Sequence, residues 1–344
     1  MEEIEKLFEE KYSNPTTVEN YKSRIRSLLD KLKTTDLVNI LKNPAEFYPK
    51  IREIYPSITT RKNTLTPILV ILRHNPDLVS EEQAKKWKQY HDDLGRYQKA
   101  EVSRSEPSQK QIEKYTSFEE IENKYTDLGR STPHDTFKKS MQYLLLSIVV
   151  YLRPKRADLG SVKIYYEKNP NKTDENYIVL RKRGSSYLVM NIYKTNKFYH
   201  TIEEDLPDPL VGDIQTSLRR FPRDYLFETS EHKPMKNNTY SKFFQRSFED
   251  LFGKSLGPSL LRHIFISEKL DFNNMSISEQ EQEAKLMLHT RGLQQQYKWA
   301  KKTFCPKLCV DYFEKHPEYV PRHKTIKNKE NSKTRTYKNK LHHE

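Results

Sequence analysis

Four short segments of the chain combine arginine, lysine, histidine and tyrosine side chains at predicted junctions between helices and strands. They are, in chain order, LRPKRADLGSVKI, YKTNK, SLLRHIFISEKL and KLMLHTRGLQQQYKWAKK. Guanidinium groups bind phosphate oxygens through paired hydrogen bonds, lysine and histidine transfer protons, and an activated tyrosine is a nucleophile. Alone, three of the segments are more typical of a solvated basic cluster, a hairpin turn or a core contact, whereas in SLLRHIFISEKL an arginine flanked by core residues needs a partner and favours neither interpretation. The interpretation therefore depends on their combination and order.

The composition is that of a folded protein with a strongly basic surface. The 344 residues include 61 Lys and Arg against 47 Asp and Glu, a formal charge of +14, together with 22 Tyr and 15 Phe. Disordered chains are poor in aromatic residues, so this chain is predicted to fold, and its length fits about two domains plus a tail. The positive balance predicts a polyanionic partner, a property shared with ribosomal, histone-like and membrane-surface proteins.

Metal, disulfide and membrane functions are not favoured by the sequence. Cys305 and Cys309 form one C-x3-C pair, which is typical neither of a zinc site nor of a disulfide framework. No apolar run approaches the roughly 18 residues of a membrane span, and no signal peptide is apparent. We therefore expect a soluble, intracellular protein without a metal, cofactor, membrane or small-molecule partner.

Residues 1–102 are predicted to form a helical domain. Apolar residues recur at helical spacing in VENYKSRIRSLLDKL, TTRKNTLTPILVILRH and SEEQAKKWKQYHDDLGRY, and Asn14 is a candidate cap for the first of these helices. Basic residues interleave with the apolar ones. Such charges are most often a solvated face, but some are candidate DNA contacts, namely Lys22, Arg26, Arg61 and Lys62. Residues 103–110, SRSEPSQK, are predicted to be a linker.

The rest of the chain is predicted to be an α+β domain over residues 111–314, followed by a basic, disordered tail over residues 315–344. A long buried helix, HDTFKKSMQYLLLSIVVYL, precedes a small antiparallel sheet formed by SVKIYY, NYIVLRKR, SYLVMNIYK and KFYHTIEEDL. A tight turn between two strands carries Lys194 and Lys197, the latter a further candidate DNA contact. The pattern beyond about residue 210 is helical again, with Ser241 and Ser278 as candidate helix caps.

The order Arg, Lys on a β-turn, Arg at a helix start, His and Tyr resembles the tyrosine recombinase (integrase) family. The resemblance covers about residues 110–312 and extends more weakly to a helical core-binding domain in residues 1–100. RPKRADLGSVKI is most similar to the arginine box of members from large DNA viruses and their parasitic elements. Arg153 is a less favoured candidate for the first arginine, and Tyr312 for the nucleophile. The catalytic residues that the resemblance implies are Arg156, Lys194, Arg262, His289 and the nucleophile Tyr297.

Four further positions either support or depart from the family pattern. Asp158 matches an acid that supports the region of the first arginine. Ser259 stands where the family usually has His or Lys, and Leu288 stands where a Gly normally precedes the later His. His263 directly follows Arg262, and its offset of about 100° on a helix means that it does not simply replace the missing residue. Which group takes the tyrosine proton therefore stays open.

The resemblance implies that the protein cleaves and rejoins double-stranded DNA through a 3′-phosphotyrosine, without ATP, metal or cofactor. Members of the family work as tetramers on two paired sites, so self-association is also expected. Two alternatives stay open. One is an enzyme related to type IB topoisomerases, which share this chemistry but relax DNA as monomers, or to hairpin-forming protelomerases. The other is a noncatalytic DNA-binding protein of the same fold, for which Ser259 is the supporting feature.

Overall fold

The structure is a computed structural model that describes residues 2–103, 105–131 and 134–299. The amino-terminal part is helical, with a short 3₁₀ helix at Pro76–Leu78 between its last two α-helices. The bounds are α1 (Glu2–Lys11), α2 (Pro15–Leu32), α3 (Leu37–Lys42), α4 (Pro44–Ile54), α5 (Ile58–His74) and α6 (Glu81–Ser103).

The amino-terminal helices enclose a core of their own, as the apolar spacing predicts. Its buried side chains lie between Phe8 and Leu94 and include fully buried residues of α2, α3, α4 and α5. The indole N–H of Trp87 in α6 donates to the carbonyl oxygen of Leu41 at 2.9 Å, so this large side chain also holds α6 to α3. Asn14 caps α2 by accepting hydrogen bonds from two backbone N–H groups, which confirms the predicted start of this helix. The domain boundary at residue 102 stays a prediction.

The remaining described residues form helices around one four-stranded sheet. Because α6 ends at Ser103 and the next helix begins at Gln109, the predicted linker overlaps both helix ends. The bounds are α7 (Gln109–Glu113), α8 (Phe118–Gly129), α9 (Phe137–Tyr151), β1 (Lys163–Tyr166), β2 (Tyr177–Leu180), β3 (Tyr187–Met190), α10 (Asn196–Tyr199), β4 (Ile202–Asp205), α11 (Asp208–Arg220), α12 (Asn237–Phe252), α13 (Pro258–Glu268), α14 (Ile277–Leu286) and α15 (Arg291–Tyr297).

The sheet is mixed, so the prediction of an antiparallel sheet is wrong for its first strand. The strand order is β1-β2-β3-β4, with β1 parallel to β2 and both later pairs antiparallel. A hairpin would reverse the chain, but residues 167–176 return it to the level of Lys163 before β2 begins. The amide of Asn191, just after β3, donates to the carbonyl oxygens of Lys172 and Glu175 at 2.8 and 2.9 Å and holds this return segment in place.

Several predicted element ends are also corrected. Helix α12 begins at Asn237, so Ser241 lies inside it and donates its hydroxyl to the Asn237 carbonyl at 2.8 Å. Helix α14 is capped by Ser276 and not by Ser278, because Ser276 and Glu279 form a reciprocal capping box. The predicted tight turn that carries Lys194 and Lys197 is a longer connection over residues 191–201, which contains α10.

Gly292 lies inside α15, and Tyr297 is the last residue of this helix. Three predictions fall on residues outside the described ranges: the Cys305–Cys309 pair, the alternative nucleophile Tyr312 and the basic tail over residues 315–344.

Candidate active site

Arg262 is the buried cation around which the candidate site is built. It lies on α13, whose start at Pro258 confirms the predicted position of this arginine near a helix start, and it is 1% exposed. Its Nε donates to the carbonyl oxygen of Pro154 at 3.3 Å, and its Nη1 donates to the phenolic oxygen of Tyr297 at 3.2 Å. Its Nη2 is buried with no hydrogen-bond partner among the described residues. A buried guanidinium with an unused donor is arranged to bind an anion.

Tyr297 brings its hydroxyl into this cationic surrounding from the end of α15. Burial by itself would raise the pKa of Tyr297, but four opposing effects hold the pKa below its usual value. They are the charges of Arg262 and Arg156 and hydrogen bonds with Ser259 and Arg262. Ser259 lies one turn before Arg262 on the same face of α13, so both residues reach the tyrosine oxygen from one helix. A tyrosine so placed loses its proton more readily than one in water.

His263 fixes the backbone of Tyr297. Its Nδ1–H donates to the carbonyl oxygen of Tyr297 at 2.8 Å, which assigns the proton of the neutral ring to Nδ1. Its ring stacks on Trp299 with centroids 4.9 Å apart and meets the Tyr297 ring edge-on at 4.5 Å. Burial and the charge of Arg262 together lower the pKa of His263 to about 4, against the opposing effect of the backbone hydrogen bond. His263 is therefore neutral at pH 7 and holds the tyrosine in place.

His289 also packs against the ring of Tyr297. The two rings are nearly parallel, with centroids 5.6 Å apart. His289 is fully buried, and neither ring nitrogen has a hydrogen-bond partner among the residues described. Burial, together with the charges of Arg262 and Arg156, lowers its pKa to about 3. One ring N–H of the neutral imidazole is thus available to donate to a bound anion.

Leu288 gives the loop before His289 an unusual backbone conformation. Its φ is +58°, in the left-handed region that favours glycine, and its side chain is 1% exposed. Leu288, which stands where the tyrosine recombinase pattern has a glycine, therefore adopts the left-handed backbone conformation that glycine favours. The hydroxyl of Thr195 donates to the Leu288 carbonyl at 3.0 Å, so the connection that carries Lys194 is bound to the loop that carries His289.

The basic residues of the segment LRPKRAD are divided between different partners. Arg153 forms a two-pronged ion pair with Glu283 of α14 at 2.9 and 2.7 Å, and the buried Lys155 forms an ion pair with Glu204 of β4. Arg156 is half-buried and has no hydrogen bond or ion pair among the described residues. Its charge nevertheless acts on Tyr297 and on His289 through their pKa values. Of the two arginines, Arg156 is the one left available for an anion.

Asp158 follows in the 3₁₀ turn Ala157–Ser161 and is largely buried. Burial raises its pKa, while the charges of Arg262 and Arg156 oppose that rise. Its Oδ2 has no hydrogen-bond partner among the described residues. The glycine at position 160 allows this turn to pack closely on α12, since a Cβ there would collide with the Met235 carbonyl and with Tyr240. The acid is thereby held close to both arginines.

Lys194 is not brought together with the other candidate residues. Its side chain is exposed in the connection between β3 and β4, and no contact joins it to Arg262, His289 or Tyr297. Lys197 is exposed on α10. Thr195 fixes the backbone next to Lys194 through its hydrogen bond to Leu288. To reach a substrate, Lys194 would therefore have to move its flexible side chain and not its backbone.

Three of the four predicted DNA contacts of the amino-terminal part have protein partners. Lys22 and Arg26 of α2 form ion pairs with Glu9 and Glu5 of α1, the second through two hydrogen bonds at 2.9 and 2.6 Å. Lys62 donates to Gln98 at 3.1 Å. Arg61 is half-buried, and its Nε has no hydrogen-bond partner among the residues described. Lys22 and Arg26 thus hold α1 to α2 in this structure, and their contact with DNA stays a prediction.

The carboxylates Glu204 and Glu283 and the ring of Trp299 are parts of the site that sequence reasoning missed. No motif marks them, because each is defined by the cation or ring that it meets across the fold. In residues 2–103, 105–131 and 134–299, no group of His, Cys, Asp or Glu side chains is arranged to hold a metal ion. Nor does any helix of these ranges have the length and apolarity needed to cross a membrane.

The comparisons with known proteins rest on structure alone. No protein-family model and no curated protein sequence matches the chain. A crystal structure of a lambda integrase dimer bound to a COC′ core site matches with a TM-score of 0.50 and 14% identity, over 87% of this chain and 96% of that chain. XerA recombinase matches with a TM-score of 0.38 and 13% identity, over 94% of this chain and 99% of that chain. Only the lambda integrase match, with its higher TM-score, is used to assign the fold. The chain therefore shares the mainly helical α+β fold of lambda integrase, and the prediction of a tyrosine recombinase catalytic fold is confirmed, with a mixed sheet as its correction.

Proposed function

We propose that this protein is a site-specific DNA recombinase that cleaves and rejoins DNA through a 3′-phosphotyrosine formed by Tyr297. The observation that carries the proposal is the contact of the Tyr297 hydroxyl with Arg262 Nη1 at 3.2 Å, in a buried site next to Ser259 and His289. This arrangement supports attack by tyrosine on a bound phosphodiester, because the same cation both favours the tyrosinate and binds the phosphate. The fold shared with lambda integrase supports the same reaction class.

The phosphate would be held by donors that have no partner among the described residues. Negative charge develops on the nonbridging oxygens during in-line displacement, and preformed hydrogen-bond donors stabilise it. Arg262 Nη2 and one ring nitrogen of His289 are buried donors of this kind, and Arg156 supplies a second guanidinium. Loss of one such donor typically costs about 100- to 1,000-fold in rate.

Proton transfer occurs at both ends of the displacement. Tyr297 loses its proton as its oxygen forms the bond to phosphorus, and Ser259, which is exposed on its outer side, is the hydroxyl that can pass this proton to water. The bond from phosphorus to the 5′-oxygen breaks, and Lys194 supplies the proton that this leaving oxygen takes up. The phosphotyrosine conserves the energy of the phosphodiester, so the reverse attack by a 5′-hydroxyl rejoins the DNA without ATP.

The partner is double-stranded DNA, held mainly by Lys and Arg contacts to phosphates, as the formal charge of +14 supports. Self-association on two paired sites belongs to the same proposal, since strand exchange needs more than one cleaved strand. Asp158 is a positioning residue in it, through its place between the two arginines.

A covalent-trapping experiment tests the proposal. The wild-type protein is incubated with a pool of randomised duplexes, each nicked so that cleavage releases a short fragment and traps the covalent adduct. The expected result is an SDS-resistant adduct whose DNA is attached to Tyr297 and is lost in Tyr297→Phe. Tyr97→Phe, which removes a hydroxyl from an exposed ring in α6, is the matched control and should retain the adduct.

The other outcomes separate the alternatives. An adduct that persists in Tyr297→Phe and disappears in Tyr312→Phe would reassign the nucleophile. Absence of any adduct, together with retained DNA binding, would support the noncatalytic reading. Relaxation of supercoiled DNA by the monomer, without paired sites, would support a topoisomerase.

A further inference from the structure

The sheet presents a basic cleft at the end that lies away from Tyr297. The register pairs Tyr166 with Leu180 and Val179 with Tyr187, so the β2–β3 turn and the end of β1 lie at one end of the sheet. The connection that carries Lys194 leaves β3 at the other end. Strands of four residues separate the two ends by about 13 Å. We call this second region the β-turn cleft.

The β-turn cleft has a volume of about 370 Å³ and lies between the sheet and α11. Its cations come from two elements, the β2–β3 turn and the last turn of α11, and two more arginines, Arg183 and Arg220, are exposed beside it. The lining residues are Tyr166, Glu167, Leu180, Arg181, Lys182, Gln215, Leu218 and Arg219.

The cations of the β-turn cleft have no carboxylate partner within the described ranges. Arg181 lies over the Tyr187 ring at 4.9 Å and donates to its hydroxyl at 3.4 Å, and Arg219 donates to the Thr216 hydroxyl at 3.1 Å. The one acid of the lining, Glu167, accepts a hydrogen bond from the backbone N–H of Lys182 at 3.3 Å. These contacts orient the cations without neutralising them.

Three exposed cations elsewhere on the same part of the chain do have such partners and serve as a comparison. Lys138 pairs with Asp250 at 2.7 Å, Lys233 pairs with Glu231 at 2.8 Å, and Arg130 approaches Asp127 at 3.7 Å. Like charges held together without counter-charges repel one another, and an anionic ligand relieves that repulsion.

We propose that the β-turn cleft binds the phosphate backbone of a second DNA duplex, distinct from the duplex held at Tyr297. This inference rests on the proposed function, which supplies DNA as the partner. A DNA backbone suits the β-turn cleft better than an acidic peptide for two reasons. The two arginines offer forked donors that fit phosphate oxygens, and the ring of Tyr166, 60% exposed, offers a face to a sugar or base. The position of the β-turn cleft leaves it accessible while the site at Tyr297 is occupied.

Capture of a second duplex tests this surface in the full chain. Wild-type protein is first saturated with an immobilised duplex, and a labelled second duplex is then added at increasing salt. The variant R181Q/K182Q/R219Q removes three cations, and the control K138Q/K233Q/R130Q removes three cations that have carboxylate partners. Wild type and control should capture the second duplex, with capture falling steeply as salt rises. The cleft variant should capture at least tenfold less, with a salt slope smaller by about two to three.

The outcomes distinguish the cleft from the proposed active site. Both variants should bind the first duplex and form the Tyr297 adduct to the wild-type extent, because none of the six residues contacts Tyr297. Capture by the cleft variant equal to that of wild type would overturn the proposal and would assign capture to pairing of protomers. Failure of the wild type to capture a second duplex while it still forms the adduct would also overturn it. Failure to bind any duplex would instead contradict the proposed function.

Discussion

The phenolic oxygen of Tyr297 lies 3.2 Å from Nη1 of Arg262, so the proposed nucleophile and the principal phosphate-binding group are hydrogen-bonded to each other in this structure. One guanidinium nitrogen thus holds the tyrosine, while Nη2 of the same group has no partner among the described residues. A phosphate can therefore bind at Nη2 without first displacing the tyrosine. In the proposed reaction, this one side chain would position the attacking oxygen and the phosphate next to each other.

Replacement of Ser259 tests the proton path. Ser259→Ala removes a hydrogen bond that favours the tyrosinate, so the pKa of Tyr297 should rise. The rate of adduct formation at neutral pH should fall by about 2- to 10-fold, the value of one ordinary hydrogen bond. NMR titration of ring-labelled tyrosine, assigned with Tyr297→Phe, measures the pKa directly. Ser259→His, which restores the residue type usual in the family, should recover the rate. An unchanged pKa in Ser259→Ala would exclude Ser259 from the path.

Acid should destabilise the protein through His289. Its pKa is about 3 in the folded state, whereas an exposed histidine titrates near 6.5. The unfolded chain therefore binds a proton between these values that the folded chain does not. Stability is complete above about pH 6.5 and falls by up to about 1.4 kcal/mol for each pH unit below it, until the folded-state pKa is reached.

His289→Phe removes this contribution while keeping an aromatic ring beside Tyr297. Urea unfolding at about pH 7.5 and about pH 5 should show a smaller loss of stability on acidification in the variant than in wild type. The remaining loss should include that of His263, whose pKa is lowered in the same direction. Equal losses in the two proteins would mean that His289 is already protonated in the folded state. The variant should also form adduct more slowly, since it lacks the donor to phosphate.

Leu288 should reverse the usual order of glycine and alanine. Both Leu288→Gly and Leu288→Ala remove a buried side chain, which typically costs about 2–5 kcal/mol. Glycine also relieves the left-handed φ of +58°, and alanine does not. Leu288→Gly should therefore be more stable than Leu288→Ala by about 1 kcal/mol, although glycine is ordinarily the less stable of the two. Chemical denaturation of the two variants measures the difference, and a more stable alanine variant would contradict the left-handed backbone.

The stability of the fold should depend on Glu204, because Glu204 neutralises the buried Lys155. Glu204→Gln leaves the ammonium group without a counter-charge in a buried position, a change that typically costs about 3–5 kcal/mol. The matched control is Glu46→Gln, which breaks an exposed pair with Lys50 inside one helix and should cost less than about 0.5 kcal/mol. Thermal unfolding of both variants provides the comparison. Similar costs would show that Lys155 reaches solvent when its partner is lost.

The sequence is sufficient to predict those parts of the site that depend on local pattern. The start of α13 and the place of Arg262 on it follow from the apolar spacing around SLLRHIFISEKL, and the fold class follows from the change between helical and strand periodicity. The partners of Arg153 and Lys155 could not be predicted, because Glu283 and Glu204 are distant in sequence and lie on unrelated elements. The parallel pairing of β1 with β2 could not be predicted either, because it too depends on contacts between separate segments of the chain.

The parallel strand depends on side-chain hydrogen bonds from Asn191 that pattern and propensity do not encode. The choice of Ser276 over Ser278 as a cap was ambiguous for a different reason. Both serines precede a glutamate at capping-box spacing, Glu279 and Glu281, and the structure selects the first.

The hydrogen bond from Thr195 to the carbonyl oxygen of Leu288 makes the β3–β4 connection and the His289 loop one mechanical unit. A shift of either segment is transmitted to the other, because the bond joins a side chain of one to the backbone of the other. The backbone of Lys194 is therefore held in place, and its exposed side chain can change rotamer without moving β3. In the proposed reaction, this single hydroxyl would therefore link the segment of Lys194, which protonates the leaving oxygen, to the loop of His289, which donates to the phosphate.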